Sequence, residues 1–225
     1  MNCFQYKFQY ILGTFCLMLA AVAPLHAQAP EKLLTEKIVK RSIEKGQEFL
    51  LHQQGQNGAW TDAEYAVGKT SLALLTLINC GMTLEDEPVQ RALTYLRGPK
   101  EPSMTYEVSL KIMALAAAKD GNRDATRILG LATKLAGQQK KNGDGAGGWS
   151  YNFTDGGRVG GVDRSNAQFA VLGLREAQYA NIAVDRAVWE LIRDYWTSQQ
   201  STDGGWNYNG SGPNNNNSTG SMTVA

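Results

Sequence analysis

Carboxylates, phenols and one guanidinium recur at the starts of the apolar helical stretches of this chain, and they are its best candidates for chemistry. They are Asp62, Glu64 and Tyr65 in the first unit, Tyr106 and Glu107 in the second, Tyr151, Asp163, Arg164 and Asn166 in the third, and Tyr208 in the fourth. A set of tyrosines, carboxylates and an arginine can bind a sugar, a peptide or an apolar chain with a polar head. It can also serve as caps and packing aromatics. Proton transfer is the other option: Asp144, Asp155 and Asp163 are the nearest thing to a cluster of acids, all in one glycine-rich loop. Aspartates beside glycines read first as turn formers and helix caps. As catalytic groups, Asp163 and Arg164 are the pair to test first.

The elements that must position these groups are marked by a seven-residue pattern, Gln-x-x-x-Gly-x-Trp. It reads QGQNGAW at 54–60, QSTDGGW at 200–206 and, stretched by four residues, QKKNGDGAGGW at 139–149. Its members are Gln54, Gly58 and Trp60; Gln139, Gly147 and Trp149; and Gln200, Gly204 and Trp206. Self-similarity over tens of residues marks a stack of one supersecondary unit. Each unit reads as an outer amphipathic helix, a glycine-rich turn carrying the pattern, and an inner helix apolar nearly all round.

The first outer helix starts at Thr35 as N-cap and sets Val39, Ile43, Gly46 and Leu50 on one face, with charged residues opposite. Its inner partner is 70–78. In the second unit Pro88 opens the outer helix, Gly98 and Pro99 end it, and the inner helix covers 108–118 behind a turn that lacks Gln and Trp. The third outer helix runs from Asp124 to Gln139; in its inner helix Ser165 and Gln168 have capping-box spacing. The fourth outer helix carries Val184, Val188, Leu191 and Tyr195. After the turn-forming GSGPNNNNSTG, the stretch from Met222 to Ala225 aligns with the start of the third inner helix. The repeat domain, 32–225, thus reads as cut off at its C-terminus, the N-terminal part of a longer protein.

Ahead of it, Lys7, an uncharged apolar run from Tyr10 to Ala23, Pro24 and a small residue at Ala27 have the pattern of a secretory signal peptide over 1–27. The run is shorter than the roughly 20 residues of a membrane-spanning helix, so the expectation is an exported protein, periplasmic or secreted, with no integral membrane segment after cleavage. Cys3 and Cys16 leave with the signal, and Cys80 alone cannot form an intrachain disulfide. Lys7 is the only charged residue removed, which leaves the rest formally neutral and gives no reason to expect nucleic acid as a partner.

The Gln-x-x-x-Gly-x-Trp turns with apolar helices behind them resemble the repeats of squalene and hopene cyclases, and more loosely those of protein prenyltransferase β subunits. The resemblance to this terpenoid cyclase and prenyltransferase family spans roughly residues 32–225 and implies an all-α fold, an α/α hairpin toroid, here an incomplete barrel of about four hairpins. It implies that each Gln and Trp of the pattern stack between neighbouring repeats and tie one outer helix to the next. The glycine would let the backbone turn tightly against the indole. Inner helices of a toroid run parallel, so Tyr65, Tyr106, Glu107, Tyr151, Asn166 and Tyr208 would meet at one mouth of the cavity.

The family's chemistry does not carry over. Its cyclases protonate their substrate with an Asp-x-Asp-Asp acid, which does not occur here. Its prenyltransferases hold zinc through Asp, Cys and His, whereas His26 lies in the signal, His52 on an outer helix, and Cys80 at a helix end with Gly81 as cap. Asn79 to Met82 is not the Gly-Cys-Gly-Glu-Gln segment of the thioester proteins that share the toroid. No metal and no cofactor are expected. The expected function is binding of a small molecule, glycan or protein in the cavity without catalysis from this stretch. The alternatives are a cyclase or prenyltransferase-like enzyme whose acid lies beyond residue 225, and a polysaccharide-degrading enzyme on an α/α scaffold.

Overall fold

The computed structural model describes residues 35–61, 63–153, 161–208 and 218–224. The signal segment, Asp62, Asp155 and most of the Asn-rich loop lie outside the described residues. The chain divides into two units, residues 1–41 and 42–225. Of the first, 35–41 are described: they open helix α1 (Glu36–Gln53), and the Thr35 hydroxyl accepts from the Ile38 N–H at 3.4 Å, as an N-cap does.

The second unit is all-α. After the remainder of α1 come α2 (Ala66–Asn79), α3 (Glu87–Arg97), α4 (Thr105–Ala118), α5 (Ala125–Gly137), α6 (Arg164–Tyr179), α7 (Arg186–Ser198) and α8 (Gly220–Val224). Helix α4 packs between α2 and α6; α3 lies against α2, and α5 against both α4 and α6. The inner row α2, α4, α6 packs closely because its contact faces are small. Ala66, Ala73, Ala114, Ala167, Ala170 and Ala177 are buried, and a Cβ on Gly173 would stand 2.9 Å from Ser109 Cα. Leu74, Leu93, Ile112, Leu115, Leu135 and Leu174 fill one core with Ala114, Ala167, Ala170 and Ala177, joined by Val188, Ile192 and Tyr195 of α7. The buried face of α7 therefore runs through Ile192, while Leu191 is half-buried.

The inner helices begin before their apolar runs, because polar groups at their starts find partners outside the helix. The Gly68 N–H donates to Glu107 Oε1 at 3.0 Å, and the Thr105 hydroxyl to the Ser150 carbonyl at 2.5 Å. For α6 the capping box is a misreading. Asp163 is the N-cap, its carboxylate accepting from the Asn166 N–H at 2.8 Å, so the helix starts at Arg164 and Ser165 is already inside it. The apolar stripe expected of α1 is also not buried: no residue of α1 is, and Ile43 is exposed. What ties the end of α1 down is polar, with Gln47 Nε2 donating to the Cys80 carbonyl at 3.2 Å.

The three Gln-x-x-x-Gly-x-Trp turns have one geometry. Each indole N–H donates to a carbonyl in the last turn of the preceding outer helix: Trp60 to Leu50 at 2.8 Å, Trp149 to Leu135 at 2.8 Å, and Trp206 to Trp196 at 2.9 Å. Last-turn carbonyls lack helical partners, so the indole satisfies an orphan acceptor. Each Gln Nε2 donates to the carbonyl of the pattern's own glycine. In two turns it also reaches the first turn of the next outer helix, Gln54 to Pro88 O at 2.8 Å and Gln139 to Val188 O at 3.1 Å. A backbone bond closes each turn, Gly55 N–H to Ala59 O, Lys140 N–H to Gly148 O and Ser201 N–H to Gly205 O. The four extra residues of the third turn therefore loop out between Lys140 and Gly147 without disturbing the bonded positions.

Glycine is required here for a different reason from the expected one. Gly58, Gly147 and Gly204 all have φ in the left-handed region, at 86°, 94° and 86°. The close approach is not to the indole. A Cβ would meet the next outer helix, 2.3 Å from Arg91 O at Gly58 and 2.1 Å from Leu191 O at Gly147, while at Gly204 nothing lies within 4 Å. Gly147→Ala is expected to cost about 3 kcal/mol, from left-handed strain plus overpacking, and Gly204→Ala only about 1 kcal/mol from strain alone. Urea denaturation of the two variants checks this; equal losses would show that the helix contact does not select the glycine.

The second turn, which lacks Gln and Trp, uses charge instead. Arg97 at the end of α3 donates from Nε to Asp124 Oδ1 at 3.0 Å and from Nη2 to Asp124 Oδ2 at 2.5 Å, with Asp120 Oδ2 at 2.6 Å from the same nitrogen. Arg127 Nη2 donates back to the Arg97 carbonyl at 2.7 Å. The hydrogen bond to Asp124 raises the Arg97 pKa further above its ordinary value. Lys111, within the supposedly apolar α4, is wholly buried beside this region; its Nζ lies 3.6 Å from Glu101 Oε1, and burial lowers its pKa.

Candidate functional site

The starts of the inner helices bring together most of the candidate residues. Tyr106 is the second residue of α4, Ser165 the second residue of α6, and Tyr65 stands immediately before α2. Tyr106 Oη donates to Ser165 Oγ at 2.6 Å, and Ser165 Oγ donates to Asp163 Oδ1 at 2.5 Å. Tyr208 Oη lies 3.1 Å from Ser165 Oγ, and Tyr151 Oη 3.1 Å from Tyr208 Oη. Four residues from separate turns and helices thus form one hydroxyl network that ends on a carboxylate. The rings pack as well: Tyr106 and Tyr151 have centroids 6.1 Å apart, and Tyr106 and Phe169 4.7 Å.

These contacts move the phenols' acidity. Tyr151 is pushed up to about 12, first by its hydrogen bond to Tyr208 and then by desolvation. Tyr106 is raised by burial, with the Asp163 charge adding to it. Both hydroxyls hold their protons.

Beside the network, between the starts of α2 and α4, lies a groove of about 380 Å³ lined by Tyr65, Gly68, Lys69, Leu72, Met104, Tyr106, Glu107, Leu110 and Tyr151. Its volume is that of a small-molecule site, roughly 300–1,000 Å³. Leu72 is 51% exposed and Tyr151 43%, so apolar surface faces the opening. Tyr65 is held at φ 61°, a sparsely populated conformation for a non-glycine residue.

The remaining candidates are placed differently. Glu107 lines the groove and also caps α2 through Gly68, so its cap role and its place at the site coexist. Asn166 is wholly buried; its Nδ2 donates to Asp163 Oδ1 at 2.8 Å, and its Oδ1 has no partner among the described residues. Asp163 and Arg164 do not form a pair. Arg164 is 2% exposed and turns to the fourth turn, donating to Asn207 O at 2.7 Å, to Asn207 Oδ1, and to Gln199 Oε1 at 2.8 Å. It brackets two elements rather than facing the groove. Asp144 and Glu64 are exposed, as is His52 on α1, and Cys80 is the half-buried C-cap of α2 with Gly81 one residue beyond. Among the described residues, no three His, Cys, Asp or Glu side chains come together, and no helix is long and apolar enough to cross a membrane.

Sequence reasoning missed Ser165, on which the network converges, and the groove's apolar floor of Leu72, Met104 and Leu110. The signal for the floor was present: Tyr65, Lys69 and Leu72 recur at helical spacing, as do Tyr106 and Leu110. Ser165 carried no such signal.

No family model, no curated protein and no solved structure matches this chain.

Proposed function

We propose that this chain is an exported α/α repeat domain of the terpenoid cyclase and prenyltransferase type that binds an apolar small molecule with a polar head, without catalysis by the residues described here. The observation that carries the reading is the joint one: an apolar groove of about 380 Å³ whose edge is formed by Tyr106 and Tyr151, which belong to a hydroxyl network anchored on Asp163. The groove supplies affinity through apolar burial, and the phenols orient the head. Asp163 supports binding rather than acid chemistry in this reading. Its three hydrogen bonds from Ser165 Oγ, the Asn166 N–H and Asn166 Nδ2 all fall on Oδ1, and all come from the first turn of α6.

The test is a fluorescence titration of the full-length protein with the neutral apolar dye N-phenyl-1-naphthylamine. Leu72→Asp puts a charge on the groove floor at an exposed position, so the fold is retained. The dye should bind the wild-type protein, and Leu72→Asp should weaken it about tenfold or more. Equal binding to both proteins would place the dye elsewhere and remove this reading.

A further inference from the structure

Away from the groove at the starts of the inner helices, the outer side of α5 borders a second depression, of about 530 Å³. Arg127, Gly130 and Lys134 follow one another along one face of the helix, with Thr126 beside them and Arg123 one turn earlier, ahead of the helix. Glu101 is the one carboxylate among the described residues that line it. Cations outnumber carboxylates around this depression. Arg97, Arg123 and Arg127 share Asp120 and Asp124; Lys111 pairs with Glu101 at 3.6 Å, and Lys134 Nζ donates to the Pro102 carbonyl at 2.7 Å. The excess is felt at the buried amine: burial lowers the Lys111 pKa, Glu101 opposes that, and Arg127 and Lys134 lower it further.

From this we infer that the outer face of α5 is a second binding site, for a small polyanion built of phosphate groups. The inference is independent of the ligand-binding reading above. Arg127 donates to Asp124 Oδ1 at 3.3 Å and to the Arg97 carbonyl at 2.7 Å; these bonds hold the guanidinium at the depression and leave further N–H groups for a ligand. Phosphate suits the set better than a carboxylate, because its oxygens project in several directions and can be met at once by planar guanidinium groups, the Thr126 hydroxyl and an ammonium. Arg127 and Lys134 are two turns apart, about 10 Å along a helix, which suits a chain of phosphates better than a lone one. Gly130 keeps the floor open between them: a Cβ there would have nothing within 4 Å, so this is space that a larger side chain would fill. The glycine holds that space although it weakens the helix around it. Glu101 opposes an anion, but its side chain is 58% exposed, where its charge is screened, and Lys111 lies beside it.

The experiment is calorimetric titration of the full-length protein with inorganic tripolyphosphate, inorganic phosphate and citrate at about 0.15 M salt, where exposed charges are screened. Tripolyphosphate should bind, about tenfold or more tighter than phosphate. Thr126→Glu puts a carboxylate into the depression at an exposed first-turn position that favours an acidic residue, so the fold is retained, and it should weaken tripolyphosphate about tenfold or more. Gly130→Gln changes no charge and strengthens the helix while filling the floor, and it should weaken binding about fivefold. No binding to the wild-type protein would overturn the inference, as would tripolyphosphate held no tighter than phosphate, or equal binding to Thr126→Glu. A loss in Thr126→Glu with none in Gly130→Gln would show long-range attraction to a charged face in place of a site, and would overturn it too. Citrate bound more tightly than tripolyphosphate would overturn the choice of phosphate.

Discussion

Trp149→Ala should lower the stability of this protein by about 3–5 kcal/mol, the range for emptying the volume of a buried aromatic. Trp149 is 1% exposed, the most buried of the three patterned tryptophans; Trp60 and Trp206 are half-buried. The substitution removes the ring from a core it shares with Leu135 and Tyr195, and it also strands the Leu135 carbonyl that the indole N–H satisfies. For a chain of this size each kcal/mol moves the melting temperature by roughly 2–4 °C, so thermal unfolding should shift downward by about 6–20 °C. Trp149→Phe keeps much of the volume and loses the hydrogen bond, and should cost markedly less. A melting temperature unchanged in Trp149→Ala would mean that this turn does not hold α5 to α6 and α7.

The second large effect is expected where charge replaces the Gln and Trp. Arg97→Leu leaves Asp124, whose side chain is 5% exposed, with only Arg127 at 3.3 Å, and should cost about 3 kcal/mol or more. Asp124→Leu should cost a similar amount, because Arg97 is then held only by the more exposed Asp120. The double variant is the informative one. With neither charge left unpaired in the gap between α3 and α5, Arg97→Leu with Asp124→Leu should recover most of the loss, a coupling that a double-mutant cycle in urea reads directly. Additive losses would show that the pair is not a unit. Asp124 stands at the N-cap of α5 without a side-chain capping bond, so the effect cannot be charged to a lost cap.

Together these two positions describe a common mechanical need met by two chemistries. The end of each outer helix must be tied to the start of the next. A neutral Gln does this by donating to carbonyls of the first turn, as Gln54 does to Pro88 and Gln139 to Val188. Arg97 does it with a fork onto a buried carboxylate. A fork and a carboxylate need no indole beside them, and the second turn has none.

The helices, their order and the positions of the patterned turns were legible in the sequence, because each rests on patterns among residues close along the chain; the bonds inside the turns were not. An indole N–H reaches back 10 residues at Trp60, 14 at Trp149 and 10 at Trp206, to a helix end whose position the periodicity already places. The expectation that tyrosines would gather at one end of the inner row came from the parallel inner helices that the family resemblance implies. Exact starts were less legible: an aspartate two residues upstream outcompeted the Ser165 capping box, and the stripe on α1 found no apolar cover. What only the tertiary structure decided is which of the gathered groups touch. Tyr106 and Ser165 are 59 residues apart, Tyr151 and Tyr208 57, Arg164 and Asn207 43. A hydrogen bond is a matter of a few tenths of an ångström and a direction, and those are set by how closely α2, α4 and α6 pack through their alanines and glycines. That packing turned Arg164 away from Asp163 and put Ser165 at the centre of the network, because adjacent residues on a helix point about 100° apart and face different neighbours.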